Sequence, residues 1–163
     1  KALTIASGKF GERWQDIYDA YHASLGVDQV RIDLDWGKAV DPAQVEQALK
    51  DNPDISVVTV VHSETSTATA SDLKAIADLV RQTDALLIVD GITAVGALEV
   101  DQDAWGIDVL VTGSQKALML PPGMSGITDA STTRSPCAPR TRSWESTTAM
   151  SSLSGPILQV PSG

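Results

Sequence analysis

The sequence predicts an α/β fold of three layers, a mostly parallel sheet with helices on both faces. Three observations carry this. Short apolar runs alternate with helix-period segments through the first 124 residues. The strongest runs are continuous rather than alternating, as strands buried on both faces read. The runs end on polar residues or glycines, where ligands of parallel sheets gather.

The elements follow in order. Leu3–Ala6 is a short apolar run closed by Gly8. Trp14, Ile17, Tyr18 and Tyr21 recur at helical spacing and predict an amphipathic helix packed through those side chains. Val30–Leu34 alternates like a half-buried edge strand. Asp41-Pro42 is a helix start, with Val45, Ala48 and Leu49 as its buried stripe and Asn52-Pro53 as its end. Ile55–Val61 is nearly all β-branched and reads as a central strand. Ser71–Gln82 is helical, with Leu73, Ile76, Ala77 and Val80 on one face. The Leu86–Val89 strand, a helical turn at Asp101–Trp105 and the Val109–Val111 strand complete the pattern.

After Met124 the character changes. Residues 125–163 hold nine serines, six threonines and four prolines, with apolar residues scattered singly, so we expect an irregular tail. The sudden loss of periodicity suggests a frame-shifted or mis-joined reading from residue 125 onward.

Composition narrows the function classes. A net charge of −9 over 163 residues argues against a nucleic-acid partner. The single cysteine, Cys137, excludes an internal disulfide, and two well-separated histidines, His22 and His62, make a metal site an unfavoured reading. No apolar run approaches membrane-spanning length and no signal-peptide pattern opens the chain, so we expect a soluble cytoplasmic protein.

Two of the apolar runs end on charged residues beside glycines. Leu86–Val89 ends on Asp90-Gly91, and Val109–Thr112 leads through Gly113-Ser114-Gln115 to Lys116. A carboxylate and an amine at one sheet edge suit pyridoxal phosphate, the amine bonding its aldehyde and the carboxylate facing its pyridine nitrogen. Spacing alone leaves open a surface Asp and a surface Lys in two ordinary loops. A third run ends in His62-Ser63-Glu64-Thr65-Ser66-Thr67-Ala68, which adds a cluster of hydroxyls.

With those residues in view, HSETSTA, LLIVDGITAVGA, GIDVLVTGSQKALMLPPG and the earlier GKFGERW resemble the motifs of class V aminotransferases. Within that class the chain is most similar to alanine–glyoxylate and serine–glyoxylate aminotransferases, over residues 1–124. The resemblance implies part of the large domain of a fold type I pyridoxal-phosphate enzyme. It implies transfer of an amino group from alanine or serine to glyoxylate or pyruvate, with a homodimer as the working form. Lys116 would form the imine with the cofactor and shuttle the substrate proton, its amine pKa of about 10.4 lowered by desolvation and a cationic neighbour. Asp90 would keep the pyridine nitrogen protonated. Thr65 would bond the phenolic oxygen, Ser114 and Gln115 would contact the phosphate, and Ile92 would pack under the ring. His62 and Glu64 fall in a supporting layer, His62 as a satisfied structural histidine. Trp14, Tyr18 and Tyr21 serve helix packing.

Gln115 stands where the related cysteine desulfurases carry a histidine, which favours transamination. The resemblance also implies parts not seen here. These are an earlier glycine-rich phosphate turn with a stacking aromatic residue, and a later domain with an arginine for the substrate carboxylate, a role not assignable to Arg134, Arg140 or Arg142. We therefore expect half a cofactor site and no unaided transamination. The alternatives are a desulfurase or lyase on the same fold, a non-catalytic α/β binding module, or an inactive remnant.

Overall fold

The computed structural model describes residues 1–130. In chain order the elements are β1 (Ala2–Ala6), α1 (Lys9–Leu25), β2 (Gln29–Asp33), α2 (Pro42–Asp51), β3 (Val57–Val61), β4 (Ser63–Glu64), β5 (Thr69–Ala70), α3 (Leu73–Val80), β6 (Leu86–Asp90), α4 (Gln102–Trp105), β7 (Val109–Gly113) and β8 (Ser125–Asp129). Six strands form one sheet in the order β2-β1-β3-β6-β7-β8. The first five run parallel, and β8 closes the edge antiparallel to β7. β4 and β5 pair as a separate antiparallel hairpin.

Burial explains the order. β1 is buried along its whole length and β3 over four of its five residues, as continuous apolar runs require. β2, whose Arg31 and Asp33 are exposed while Val30 and Ile32 are half-buried, takes the edge. Register aligns Leu3 with Val58 and Val58 with Leu87. These side chains, with Ile5, Val60 and Val89, share one core layer with Val45 and Leu49 of α2 and Leu73, Ile76, Ala77 and Val80 of α3. Both helices start on aspartate caps: Asp41 accepts from the Ala43 amide at 2.9 Å, and Asp72 accepts from the Ala75 amide at 3.0 Å.

α1 departs from its expected packing. Its fully buried positions are Gly11 and Gln15. Trp14 and Tyr18 are half-buried, but Ile17 and Tyr21 are 43% and 57% exposed, so they do not pack as the periodicity predicts. The cause is close approach to the sheet. A Cβ on Gly11 would lie 2.6 Å from Ala6 Cα and 2.8 Å from the Ile5 carbonyl oxygen. The helix therefore meets β1 through its smallest residue. Gln15 beside it is satisfied by donating to Asp33 Oδ1 at 2.6 Å.

The expected boundary at residue 124 falls one strand early. Ser125–Asp129, assigned to the irregular tail, is β8, with Ile127 opposite Val111. The edge position accounts for the misreading, because β8 is mostly exposed and needs no apolar face. The expected tail beyond Ala130, with Cys137, Arg134, Arg140 and Arg142, lies outside the described residues.

Glycine-to-alanine changes in helices normally gain up to about 1 kcal/mol. At Gly11 we predict the opposite sign. Gly11→Ala lowers stability by about 1–3 kcal/mol through overpacking, read as a lower urea midpoint. An unchanged or raised midpoint refutes the close approach of α1 to β1.

Candidate active site at the sheet edge

The parallel register carries three strand ends to one edge. Val61 is paired with Asp90, and Asp90 with Val111. Beyond those pairs the ladder continues in the loops: the His62 amide donates to the Asp90 carbonyl at 3.0 Å, and the Gly91 amide to the Val111 carbonyl at 2.9 Å. The β4–β5 hairpin, Asp90 and the loop bearing Lys116 thus leave neighbouring strands in the same direction.

Asp90 is half-buried, and its Oδ1 accepts from the Ile92 amide at 3.0 Å. Burial pushes its carboxyl above the ordinary range, the Ile92 N–H pulls the other way, and the nearby Glu64 carboxylate adds a smaller upward push. Next to it, Thr93 Oγ1 donates to the Ser63 carbonyl at 2.6 Å, which ties the loop after β6 to the hairpin after β3. Ile92 is half-buried, and Thr65 is exposed between the two hairpin strands.

Lys116 and Gln115 are exposed. The described residues therefore do not supply the desolvation expected at Lys116. Nor does any of them form an ion pair with it. The Gln115 side chain folds back toward Gly113, where a Cβ would meet its Oε1 at 3.0 Å. Ser114 has a task that sequence reasoning missed. Its Oγ donates to the Pro121 carbonyl at 2.7 Å and accepts from the Met124 amide at 3.4 Å. Its amide donates to the Met124 carbonyl and its carbonyl accepts from Leu120. Ser114 closes the base of the loop that presents Lys116, and its one hydroxyl proton is already committed.

His62 is buried, yet its Nδ1 has no hydrogen-bond partner among the described residues, which corrects the expectation of a satisfied structural histidine. Desolvation lowers its pKa below the ordinary imidazole value. Thr112 Oγ1 on β7 is likewise buried and unpartnered. Glu64 is fully buried and is bonded by backbone amides of α1, a contact that no spacing in the sequence signalled. Among the described residues no cluster of His, Cys, Asp and Glu suits a metal ion, and no helix is long and apolar enough to cross a membrane.

The raised Asp90 pKa has a definite consequence for stability. The native carboxyl binds its proton more tightly than the unfolded chain does, so its contribution is greatest at low pH and is lost as pH rises through the native value. Asp90→Asn removes that loss. At pH 8 the variant unfolds at higher urea than the parent, and the difference narrows as pH falls toward the ordinary carboxylate range. A variant less stable at pH 8, or a pH-independent difference, contradicts the assigned burial.

Comparison with known proteins places this arrangement in a family. The family model for "Aminotransferase class-V" matches residues 13–150, which runs past the boundary expected at 124. An uncharacterized aminotransferase of Methanocaldococcus jannaschii is 43% identical over 128 residues, covering 78% of this chain and 32% of that protein. The serine–glyoxylate aminotransferase of Methylorubrum extorquens is 37% identical over 131 residues, covering 78% of this chain and 32% of that protein. Among solved structures, an alanine–glyoxylate aminotransferase from Nostoc sp. superposes with a TM-score of 0.73 at 33% identity, covering 80% of this chain and 33% of that one. The chain spans about a third of the length of these relatives. Fold likeness and sequence kinship agree, and the chain belongs to the class V aminotransferases, a family of pyridoxal-phosphate enzymes.

Proposed function

We propose that this chain is the cofactor-holding part of an aminotransferase that moves an amino group from alanine or serine to glyoxylate or pyruvate. The observation that carries the proposal is the shared edge of β3, β6 and β7, with a hydroxyl-bearing hairpin, a half-buried carboxylate at the end of β6 and an amine in the loop after β7. Relatives named for glyoxylate as the amino acceptor support the substrate class. The proposal extends to a homodimer and a cytoplasmic location.

The residues present fit pyridoxal phosphate at three points. Asp90 is a carboxylate that burial destabilises, and a protonated ring nitrogen is the cation that would reverse that effect. Lys116 offers an exposed amine without an ion-pair partner among the described residues. Thr65 offers an exposed hydroxyl on the neighbouring hairpin. When bound, the cofactor supplies an electron-withdrawing ring that stabilises negative charge on the substrate Cα.

Each side chain then has one task. Lys116 Nζ would be the amine that holds the cofactor aldehyde and the base that would carry the substrate Cα proton. That work needs the amine neutral, so the burial absent around Lys116 in residues 1–130 must come from other parts of the assembled enzyme. Asp90 would hold the ring-nitrogen proton. Thr65 would donate to the phenolic oxygen, Ile92 would pack against the ring, and Gln115 would contact the phosphate. Ser114 acts through the Lys116 loop it closes, since its hydroxyl proton is donated to Pro121.

The test is covalent labelling. Pyridoxal phosphate is added to the purified chain, reduced with borohydride, and the modified peptide is mapped. Label at Lys116 supports the proposal, and Lys116→Ala abolishes it. Asp90→Asn retains the label at Lys116 but weakens cofactor affinity about tenfold, equivalent to about 1.4 kcal/mol. Label confined to other lysines, or none, overturns the proposal.

A further inference from the structure

Glu64 is the one carboxylate with 0% exposure among the described residues, and no lysine, arginine or histidine faces it in an ion pair. Backbone amides and one hydroxyl compensate its charge instead. Oε2 accepts from the Phe10 amide at 3.1 Å and the Gly11 amide at 3.0 Å, in the first turn of α1. Oε1 accepts from the Ser66 amide at 3.1 Å and the Ser66 hydroxyl at 2.6 Å. Oε2 serves the helix start alone, while Oε1 serves the hairpin turn and also accepts from the Phe10 amide at 3.4 Å.

Further bonds lock the same two segments. The Lys9 amide donates to Ser66 Oγ at 2.8 Å, and Thr67 Oγ1 donates to the Ser7 carbonyl at 3.1 Å. Gly8 is required where they meet, because a Cβ there would stand 2.5 Å from Ser66 Oγ and 2.6 Å from Glu64 Cγ. Gly8 also gives α1 no side-chain cap of its own, so the cap arrives from Glu64, more than fifty positions along the chain. A serine or aspartate at the cap position would satisfy the helix without burying a charge. What Glu64 adds is a fixed separation between α1 and the turn that carries Thr65. The Thr93 bond to Ser63 joins the Asp90 loop to the same turn.

We propose that Glu64 is a positioning residue for the cofactor edge: by capping α1 with one carboxylate oxygen and gripping Ser66 with the other, it holds Thr65 in place beside Asp90. The inference rests on the cofactor reading above for its functional meaning, but the clamp itself is testable without cofactor.

The experiment has two arms on the same chain. In the first, amide hydrogen exchange is followed without cofactor in the parent and in Glu64→Ala, which removes both carboxylate oxygens. The expected result is joint release, with exchange at Phe10, Gly11, Ser66 and Thr67 rising about tenfold or more together. Ser66→Ala keeps the Phe10 and Gly11 bonds to Glu64 while removing the hydroxyl that serves Glu64 and the Lys9 amide, which guards against a folding failure of the first variant. Release confined to Phe10 and Gly11 in Glu64→Ala, with the turn still protected, overturns the clamp. In the second arm, pyridoxal-phosphate affinity is measured for Glu64→Ala, Thr65→Val and the double variant. Each single change weakens affinity about tenfold, and the double variant is no weaker than Thr65→Val alone, since both act through one hydroxyl. Independent, additive losses overturn the positioning role. A parent chain that takes up no cofactor counts against the proposed function, and the exchange arm still decides the clamp.

Discussion

Everything at the candidate site depends on parallel pairing of β3, β6 and β7 in a register that leaves Val61, Asp90 and Val111 side by side. Side chains alternate across a strand, so slipping β6 by one residue would send Asp90 to the opposite face and expose Leu87 and Val89. The core layer of Leu3, Val58, Val60, Leu87 and Val89 forbids that slip. The hydrophobic contacts that hold the fold are therefore the same contacts that aim the carboxylate. At this edge stability and function share one constraint.

Two carboxylates stand near that edge, and their surroundings give them different work. Glu64 is fully buried, yet four hydrogen-bond donors surround it, which gives it structural work. Asp90 is less buried but, among the described residues, receives only the Ile92 amide, so desolvation prevails and its pKa rises. An acid left short of partners has capacity to take a cationic one. Glu64 also pushes on Asp90 through space, which further favours a positive group there.

The fold was legible wherever burial imposes a pattern. β3, α3 and the Asp41-Pro42 start of α2 appear as their residues predict, because continuous β-branched runs, a four-residue apolar face and a capped proline each have a single good solution. α1 was half legible. Its stripe is rotated toward Gly11 and Gln15, since a glycine that permits close contact and a glutamine with a private partner carry no hydrophobic signal. β8 was hidden for a related reason: an exposed edge strand paired through its backbone needs no apolar alternation. At the site, Asp90, Lys116 and Thr65 were visible as strand-end chemistry. The tasks of Ser114 and Glu64 were not. Both depend on contacts between segments distant in sequence, or on loop closure, and neither leaves a periodic trace.

The central claim is geometric, and a crystal structure of the chain soaked with pyridoxal phosphate tests it most directly. The account predicts the ring lying between β6 and the loop after β7, its nitrogen within hydrogen-bond reach of the Asp90 carboxylate and its aldehyde carbon bonded to Lys116 Nζ. A cofactor attached elsewhere, or a ring that leaves Asp90 without contact, would contradict it.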